Sequence, residues 1–154
     1  DKSIHRFYMN SIILGTIIES DVTVRSNYKP SDLHFPSVQT RLQWNELPII
    51  DWSNIDPRSR EYSFLKELGV REVPDLQKLI ARIIEEHQNG IKIWTDYKLP
   101  KSLVFFSESF QQHYSKLWKK ASIKAAFLPS LYWDSNSTSE VILTAPSAVF
   151  KRNS

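Results

Sequence analysis

The amino-acid sequence predicts a mixed α+β fold with three helices, short strands and a C-terminal β-hairpin, and three observations indicate this class. Residues 11–25 are rich in β-branched side chains and alternate in part, as one or two strands would. A later segment repeats apolar residues at the spacing of one helical face: Leu76, Leu79, Ile80, Ile83 and Ile84. Residues 123–128 and 141–144 are two further strand candidates, and they close the chain as a hairpin.

The composition is typical of an ordinary soluble globular protein. Hydrophobic residues make up 41% of the 154 residues and charged residues 24%. The apolar stretch at residues 12–18 is too short to cross a bilayer, so we expect no membrane association. The chain begins with Asp1 rather than Met, and we expect it to be a segment of a larger protein. We divide it into a strand-rich lead-in, residues 1–28, which is incomplete at its N-terminus, and a single α+β domain, residues 29–150.

The stretch from residue 26 to residue 57 is predicted to be an irregular layer. Prolines recur through it, at Pro30, Pro36, Pro48 and Pro57. It carries Trp44 and Trp52 as well as a short strand-like sequence at 47–50, LPII. Because large aromatic side chains are rarely left in water, we expect this layer to pack against the rest of the domain.

Capping residues predict where the three helices begin and end. The first helix follows Asp56, as cap, and Pro57, at the first helical position, and it ends at Gly69. The second begins at residues 73–75 and ends at Gly90, and residues 91–95 then alternate like a strand. The third runs over residues 107–120, from a serine cap to a lysine pair. The polar link at 129–140 is expected to be exposed. Three helices before a hairpin is the order of a winged helix-turn-helix, although the segment between helices two and three is long for that motif.

The sequence lacks the residue patterns of common enzymes. With three glycines in the chain, Gly15, Gly69 and Gly90, a glycine-rich phosphate-binding loop is excluded. Cysteine is absent, so a disulfide framework and a thiolate metal site are excluded, which suits a cytoplasmic or nuclear protein. The four histidines show no metal-ligand spacing. Residues 85–87, Glu-Glu-His, resemble an acid–base cluster, but neighbours on a helix point in different directions, so we interpret them as the exposed end of helix two. We predict no catalytic residue, no cofactor and no metal.

Basic residues are concentrated in the second half of the chain. The net charge is only +3, yet residues 92–124 contain seven lysines and two acids, Asp96 and Glu108. The candidate nucleic-acid contacts are four lysines, three of them on helix three: Lys116, Lys119, Lys120 and Lys124. Lysines bind phosphates, and Tyr132 and Trp133 in the hairpin offer stacking surfaces. Arginines that could read bases are missing from that helix, and a solvated lysine face over an apolar stripe explains the pattern equally.

Several phrases resemble a region of very large fungal proteins. They are KPSDLHFPSV (29–38), LPIIDW (47–52), FLKELGVREVPDLQKLI (64–80), HYSKLWKK with AAFLPS (113–120, 125–130) and LTAPSAVF (143–150). Those proteins carry a histidine-kinase-like (GHKL) ATPase domain at their N-terminus, and the similar region lies downstream of it, in a sacsin-like architecture that plant vein-patterning proteins also share. The resemblance covers residues 29–150.

The resemblance implies a regulatory or protein-interaction segment of an intracellular protein. The partners it implies are other domains of the same larger chain, with further protein partners possible. None of the Asn- and Gly-containing boxes of the ATPase domain occurs here, so no catalytic or ATP-binding residue carries over. The alternative, from the residues themselves, is a winged-helix nucleic-acid-binding module that uses the lysine-rich third helix.

Overall fold

The chain forms two compact units in the computed structural model, which describes residues 13–52, 54–91, 94–133 and 139–149. The N-terminal unit ends at Pro74 and the C-terminal unit begins at Asp75. The division therefore falls within the predicted 29–150 domain rather than after residue 28. Both units combine helices with antiparallel strands, which confirms the α+β class.

A three-stranded antiparallel sheet organises the N-terminal unit. Strand β1 (Ile13–Glu19) lies between β2 (Val22–Tyr28) and the short β3 (Ile49–Ile50). Ser20 and Asp21 join β1 to β2 with φ angles of 48° and 64°, the left-handed pair that a two-residue hairpin turn needs. The strands predicted within residues 11–25 and 47–50 are confirmed, and β1 and β2 belong to the same sheet as β3.

The two faces of this sheet differ because side chains alternate along each strand. Ile13 and Tyr28 pack on the buried cluster of the unit, which consists of Leu33, Phe35, Ile50, Leu65 and Val70. Gly15 lies between Ile13 and Ile17 on this core-facing side, where an added Cβ would overlap Leu33 Cδ2 and lie 2.8 Å from Tyr28 Cδ2. The opposite face carries Thr16, Ile18 and Arg25.

Two helices complete the N-terminal unit. Helix α1 (Pro36–Leu42) was not expected in the loop-rich stretch; Pro36 occupies its first turn, where a missing N–H costs nothing, and Val38 and Leu42 are buried. Helix α2 (Arg60–Leu68) is capped by Ser59, whose Oγ accepts from the Tyr62 N–H at 3.2 Å, so the predicted cap at Asp56 is wrong. Gly69 ends α2 with a φ of 116°, as predicted.

Helix α3 (Leu76–Gln88) opens the C-terminal unit. Asp75 caps it, since its carboxylate accepts from the Lys78 N–H. Leu79, Ile80 and Ile83 are buried, which confirms the predicted apolar stripe. Of the strand predicted at 91–95, residues 92 and 93 lie outside the described residues. Trp94–Asp96 forms a single 3-10 turn, so the strand prediction is wrong there.

A helical rod follows, in which residues 101–120 keep helical backbone angles. It consists of α4 (Lys101–Ser109), a π-helical turn (Phe110–Tyr114) and α5 (Ser115–Lys120). The predicted third helix therefore begins six residues earlier than expected. Counting this rod once, the described residues hold four helical segments instead of three. Four of its aromatic side chains and one from the irregular stretch after it form a cluster, in which contacting rings have centroids 5.4–6.2 Å apart: Phe106, Phe110, Tyr114, Trp118 and Phe127.

A two-stranded antiparallel hairpin ends the C-terminal unit. Strand β4 (Leu128–Trp133) pairs with β5 (Ser139–Thr144), so the predicted C-terminal hairpin is confirmed. Its first strand is displaced, however: residues 122–127 are irregular, and part of the link expected to be exposed forms β4 instead. Phe127, buried in the aromatic cluster, fixes the chain just before the strand. The winged-helix arrangement stays a prediction.

Candidate functional site

The predicted lysine contacts lie on and just after helix α5. Lys116, Lys119 and Lys120 occupy α5, and Lys124 follows in the irregular segment. All four side chains are exposed. Residues three and four positions apart are neighbours on a helix, so the structure brings the three helical lysines together. None forms an ion pair with any residue that the structure describes. These four residues are called the lysine surface.

The surroundings of the lysine surface favour anions but give little base recognition. No Asp or Glu occurs between residues 109 and 133, so the charged side chains of this stretch are all basic. Trp118 is packed into the aromatic cluster and cannot stack on a base. Tyr132 is half exposed on β4, while the side chain of Trp133 is outside the described part of the molecule.

The residues that resemble an acid–base cluster form a structural network instead. Glu86 reaches the start of helix α4, where Ser102 donates to it from Oγ at 2.7 Å and from the backbone N–H at 3.1 Å. Arg82 donates to the same carboxylate at 3.2 Å. His87 is buried and lies 3.0 Å from the hydroxyl of Tyr97. The interpretation of these residues as an exposed helix end is therefore wrong for Glu86 and His87.

An open pocket lies on the second face of the N-terminal sheet. Thr16, Ile18 and Ile49 belong to its floor, because they share the sheet face turned away from the core. Helix α1 and the segment after it supply the wall, with Pro36 and Leu47 among its residues. The cavity measures about 450 Å³, within the range of ligand pockets. Most of its surface is apolar. We call it the apolar pocket.

A second pocket adjoins the apolar one and has a different character. Asp51 and Trp52 line both cavities, so they form the boundary between them. The second cavity, of about 530 Å³, is lined further by Asp56, Ser59 and Glu61, with Asn54 and Ile55. It carries three carboxylates and no basic side chain among its lining residues. We call it the acidic pocket, and the two pockets with Trp52 between them the Trp52 surface.

Polar contacts hold the boundary of the Trp52 surface in place. Asp51 pairs with Arg25 across the sheet at 3.3 Å, and its backbone N–H donates to the Leu14 carbonyl at 3.1 Å. Trp52 follows directly and remains 44% exposed. Asp51 is thereby fixed on the sheet, and the half-exposed Trp52 beside it offers a large aromatic side chain for contact.

Sequence reasoning missed the Trp52 surface for an identifiable reason. The aromatic residues of the 26–57 stretch were expected to pack away from water, and Trp52 does not. A signal was present in the alternation of β1, which places Thr16 and Ile18 on the face opposite Ile13. Recognising a pocket there requires the position of α1, and that helix was not predicted.

Other kinds of site have no support in the described residues. Within those ranges, no group of three or more histidine, aspartate or glutamate side chains is arranged to hold a metal ion. The helices that the structure describes are all too short or too polar to span a bilayer.

The fold and its surfaces define a two-unit α+β protein with an apolar and acidic surface on one unit and a lysine surface on the other. The chain belongs to the family described as protein of unknown function DUF3684, whose model matches residues 14–154. No curated protein matches the chain, and neither does any solved structure. The family description gives no activity, so the function is argued from these surfaces.

Proposed function

We propose that this chain is a non-catalytic protein-interaction segment that serves a regulatory role in a larger, intracellular protein with a GHKL-type ATPase domain. The observation that carries the proposal is the Trp52 surface. The resemblance of residues 29–150 to the region downstream of such ATPase domains supplies the expected partners, which are other domains of the same larger protein.

The chemistry of the Trp52 surface suits a protein partner. Tryptophan is enriched among the few residues that dominate binding energy at interfaces, and such residues act together with a neighbouring pocket. Trp52 stands beside a mainly apolar cavity large enough for one or two side chains. The rim carries the Arg25–Asp51 ion pair, which gives orientation to a bound segment.

The polar side chains best suited to acid–base chemistry are engaged in structural bonds, and this supports a non-catalytic role. Glu86 caps helix α4, and His87 contacts Tyr97. The Nδ1 atom of His34 lies 3.0 Å from the Pro48 carbonyl and ties the approach to α1 to the segment before β3. Tyr62 donates to Glu72 at 2.6 Å. Each group thereby has a partner that serves to position it within the fold.

Binding to the ATPase domain tests the proposal. The 154-residue chain is titrated into the separately purified ATPase domain of the parent protein, without nucleotide, with ADP and with a non-hydrolysable ATP analogue. We expect an affinity that depends on the nucleotide and falls more than ten-fold in Trp52→Ala, since a buried tryptophan anchor contributes at least 2 kcal/mol in typical interfaces, about thirty-fold.

Val22→Ala is the matched control, because Val22 is 60% exposed on β2 of the same unit and lines neither pocket. Its affinity should equal that of the wild-type chain. Absence of binding in all three nucleotide states, or equal losses in the two variants, would overturn the proposal.

A second function, nucleic-acid binding, is favoured by the lysine surface alone. Four exposed lysines without carboxylate partners among the described residues can neutralise backbone phosphates. The test is fluorescence anisotropy of labelled duplex DNA, single-stranded DNA and RNA at about 50 and 200 mM salt, a range over which phosphate-driven binding weakens steeply.

The test compares a triple variant, Lys116→Gln, Lys119→Gln and Lys120→Gln, with a control of equal charge change, Arg60→Gln, Lys78→Gln and Lys98→Gln, all exposed. Binding that weakens with salt and disappears only in the lysine-surface variant would establish this second function. No binding at either salt concentration would assign the lysines to solubility.

A further inference from the structure

We propose that the Trp52 surface binds an extended peptide segment in which an apolar side chain stands close to a lysine or arginine. This inference rests on the proposed interaction function and names the chemistry of the partner. It follows from the two pockets that meet at Trp52, one apolar and one acidic.

The apolar pocket accounts for the first half of this pattern. Its floor is the free face of a three-stranded sheet, and Ile18, Ile49 and Leu47 contribute aliphatic surface to it. Covering that surface with an apolar side chain stabilises a complex, because apolar area is removed from water. Arg25 and Asp51 at the rim neutralise each other, so a ligand group in this pocket needs no charge to balance them.

The acidic pocket accounts for the second half. Asp51, Asp56 and Glu61 line it together with Ser59, and no basic side chain belongs to the lining. Arg58 lies 3.7 Å from Asp56, but its side chain is 93% exposed, so this pair is weak and readily replaced. Glu61 has no ion-pair partner among the described residues.

The start of helix α2 also meets this pocket, through Ser59 and Glu61. Its dipole contributes about half a positive charge, which the carboxylates of Asp56 and Glu61 exceed even though Asp51 is paired with Arg25. A cation is therefore the complementary ligand group.

Trp52 joins the two halves. Trp52 lines both cavities, so its indole can cover the apolar side chain and also stack against a neighbouring cation. Successive side chains on the same face of an extended peptide are about 6.6 Å apart, which allows two of them to enter adjoining pockets. A partner with this chemistry therefore places its apolar residue and its basic residue two positions apart.

Selection from a peptide library tests the inference. Phage that display random 12-residue peptides are selected on the 154-residue chain, and the enriched peptide is synthesised with a fluorescent label. Its affinity is measured for the wild-type chain and for Trp52→Ala, Glu61→Lys and Glu67→Lys. Glu67 is exposed on the same helix but lines neither pocket, so it controls for net charge. Circular dichroism melts confirm that each variant is folded.

We expect enriched peptides that combine an apolar residue with Lys or Arg at fixed spacing. Their affinity should fall more than ten-fold in Trp52→Ala and about five-fold in Glu61→Lys, which is the effect of about 1 kcal/mol at an exposed charge. Glu67→Lys should bind as the wild-type chain does. Replacing the basic residue of the peptide with Gln should remove the difference between Glu61→Lys and the wild-type chain.

The other outcomes separate the inference from the proposed function. The inference would be overturned by peptides that require Trp52 but lack a basic residue, or whose affinity is unchanged by Glu61→Lys. Either result would still support the interaction function. If no peptide is enriched, or if the peptide affinity is unchanged in Trp52→Ala, the inference is wrong. The interaction function is then decided separately, by whether Trp52→Ala weakens binding to the ATPase domain.

Discussion

Ser102 donates two hydrogen bonds to the carboxylate of Glu86, a residue sixteen positions earlier in the chain. One comes from its hydroxyl at 2.7 Å and the other from its backbone N–H at 3.1 Å. Helix α4 needs this help, because Pro100 stands at its N-cap position and offers no capping side chain. Glu86 therefore caps a helix to which it does not belong, and it joins the end of α3 to the start of α4.

Removing the Glu86 carboxylate should destabilise the C-terminal unit. Ser102 is fully buried, so Glu86→Ala leaves its hydroxyl and N–H without their acceptor, and Arg82 loses a partner as well. We expect a loss of about 2–4 kcal/mol in the free energy of unfolding, measured by urea denaturation. Glu85→Ala is the matched control, since the Glu85 side chain is largely exposed and its carboxylate forms a long ion pair with Arg82, at 3.5 Å. Equal losses in the two variants would contradict the capping role.

Gly15 should not tolerate a methyl group. A Cβ there would overlap Leu33, which is completely buried, and would lie 3.2 Å from the backbone oxygen of Ile49. Gly15→Ala should therefore destabilise the N-terminal unit by about 1–3 kcal/mol, the usual cost of overpacking. Gly90→Ala is the comparison, because its Cβ would approach nothing closer than 3.4 Å and its φ is not in the left-handed region. A smaller effect at Gly15 than at Gly90 in thermal denaturation would show that the sheet face is not packed as described.

Tyr62 should make stability fall at alkaline pH. Burial raises the pKa of its hydroxyl above the usual tyrosine range, and the hydrogen bond to Glu72 and the charge of that carboxylate raise the pKa further. Below about pH 10 the hydroxyl is protonated in both the folded and the unfolded chain, so its full contribution is present. Above that pH the unfolded chain releases the proton while the folded chain retains it. The free energy of unfolding then falls by up to about 1.4 kcal/mol for each pH unit.

Tyr62→Phe isolates this effect, since phenylalanine keeps the stacking on Phe35, whose ring centroid is 4.0 Å away. Near pH 8 the variant should be less stable by about 1 kcal/mol, because Glu72 loses a donor. Toward pH 11 the difference should shrink. The wild-type chain loses stability there because of the raised pKa of Tyr62, whereas the variant has no ionisable group at this position. Urea denaturation across this range measures it, and a difference that stays constant with pH would rule out the coupling.

Local patterns predicted several elements of the fold correctly. The 3.6-residue repeat of Leu79, Ile80 and Ile83 identified the buried face of α3, because only one side of that helix faces a core. Gly69 identified a helix end for an equally local reason, since its φ of 116° suits glycine. Such signals depend on neighbours within a few positions, and a single sequence contains them.

The elements that sequence reasoning missed depend on contacts between distant positions. Glu86, for example, caps α4 from sixteen residues away. Lys116, Lys119 and Lys120 are exposed as their position opposite the apolar face of one helix indicated, and their contact with nucleic acid stays a prediction. The Trp52 surface was not predicted, because its pockets combine β1, α1 and the segment after β3.

Aspartate on the buried face of α3 should unfold the C-terminal unit. Leu79 and Ile83 are completely buried, so Leu79→Asp or Ile83→Asp places a carboxylate where water is excluded, in addition to removing apolar contacts. We expect each change to cost more than about 4 kcal/mol, enough to abolish the cooperative thermal transition of a marginally stable domain. Ala81→Asp provides the control, because Ala81 is exposed on the same helix and the change there costs only helix propensity, about 0.7 kcal/mol. Melting followed by circular dichroism distinguishes the three variants. Wild-type stability in Leu79→Asp or Ile83→Asp would mean that this face of α3 does not lie in the core.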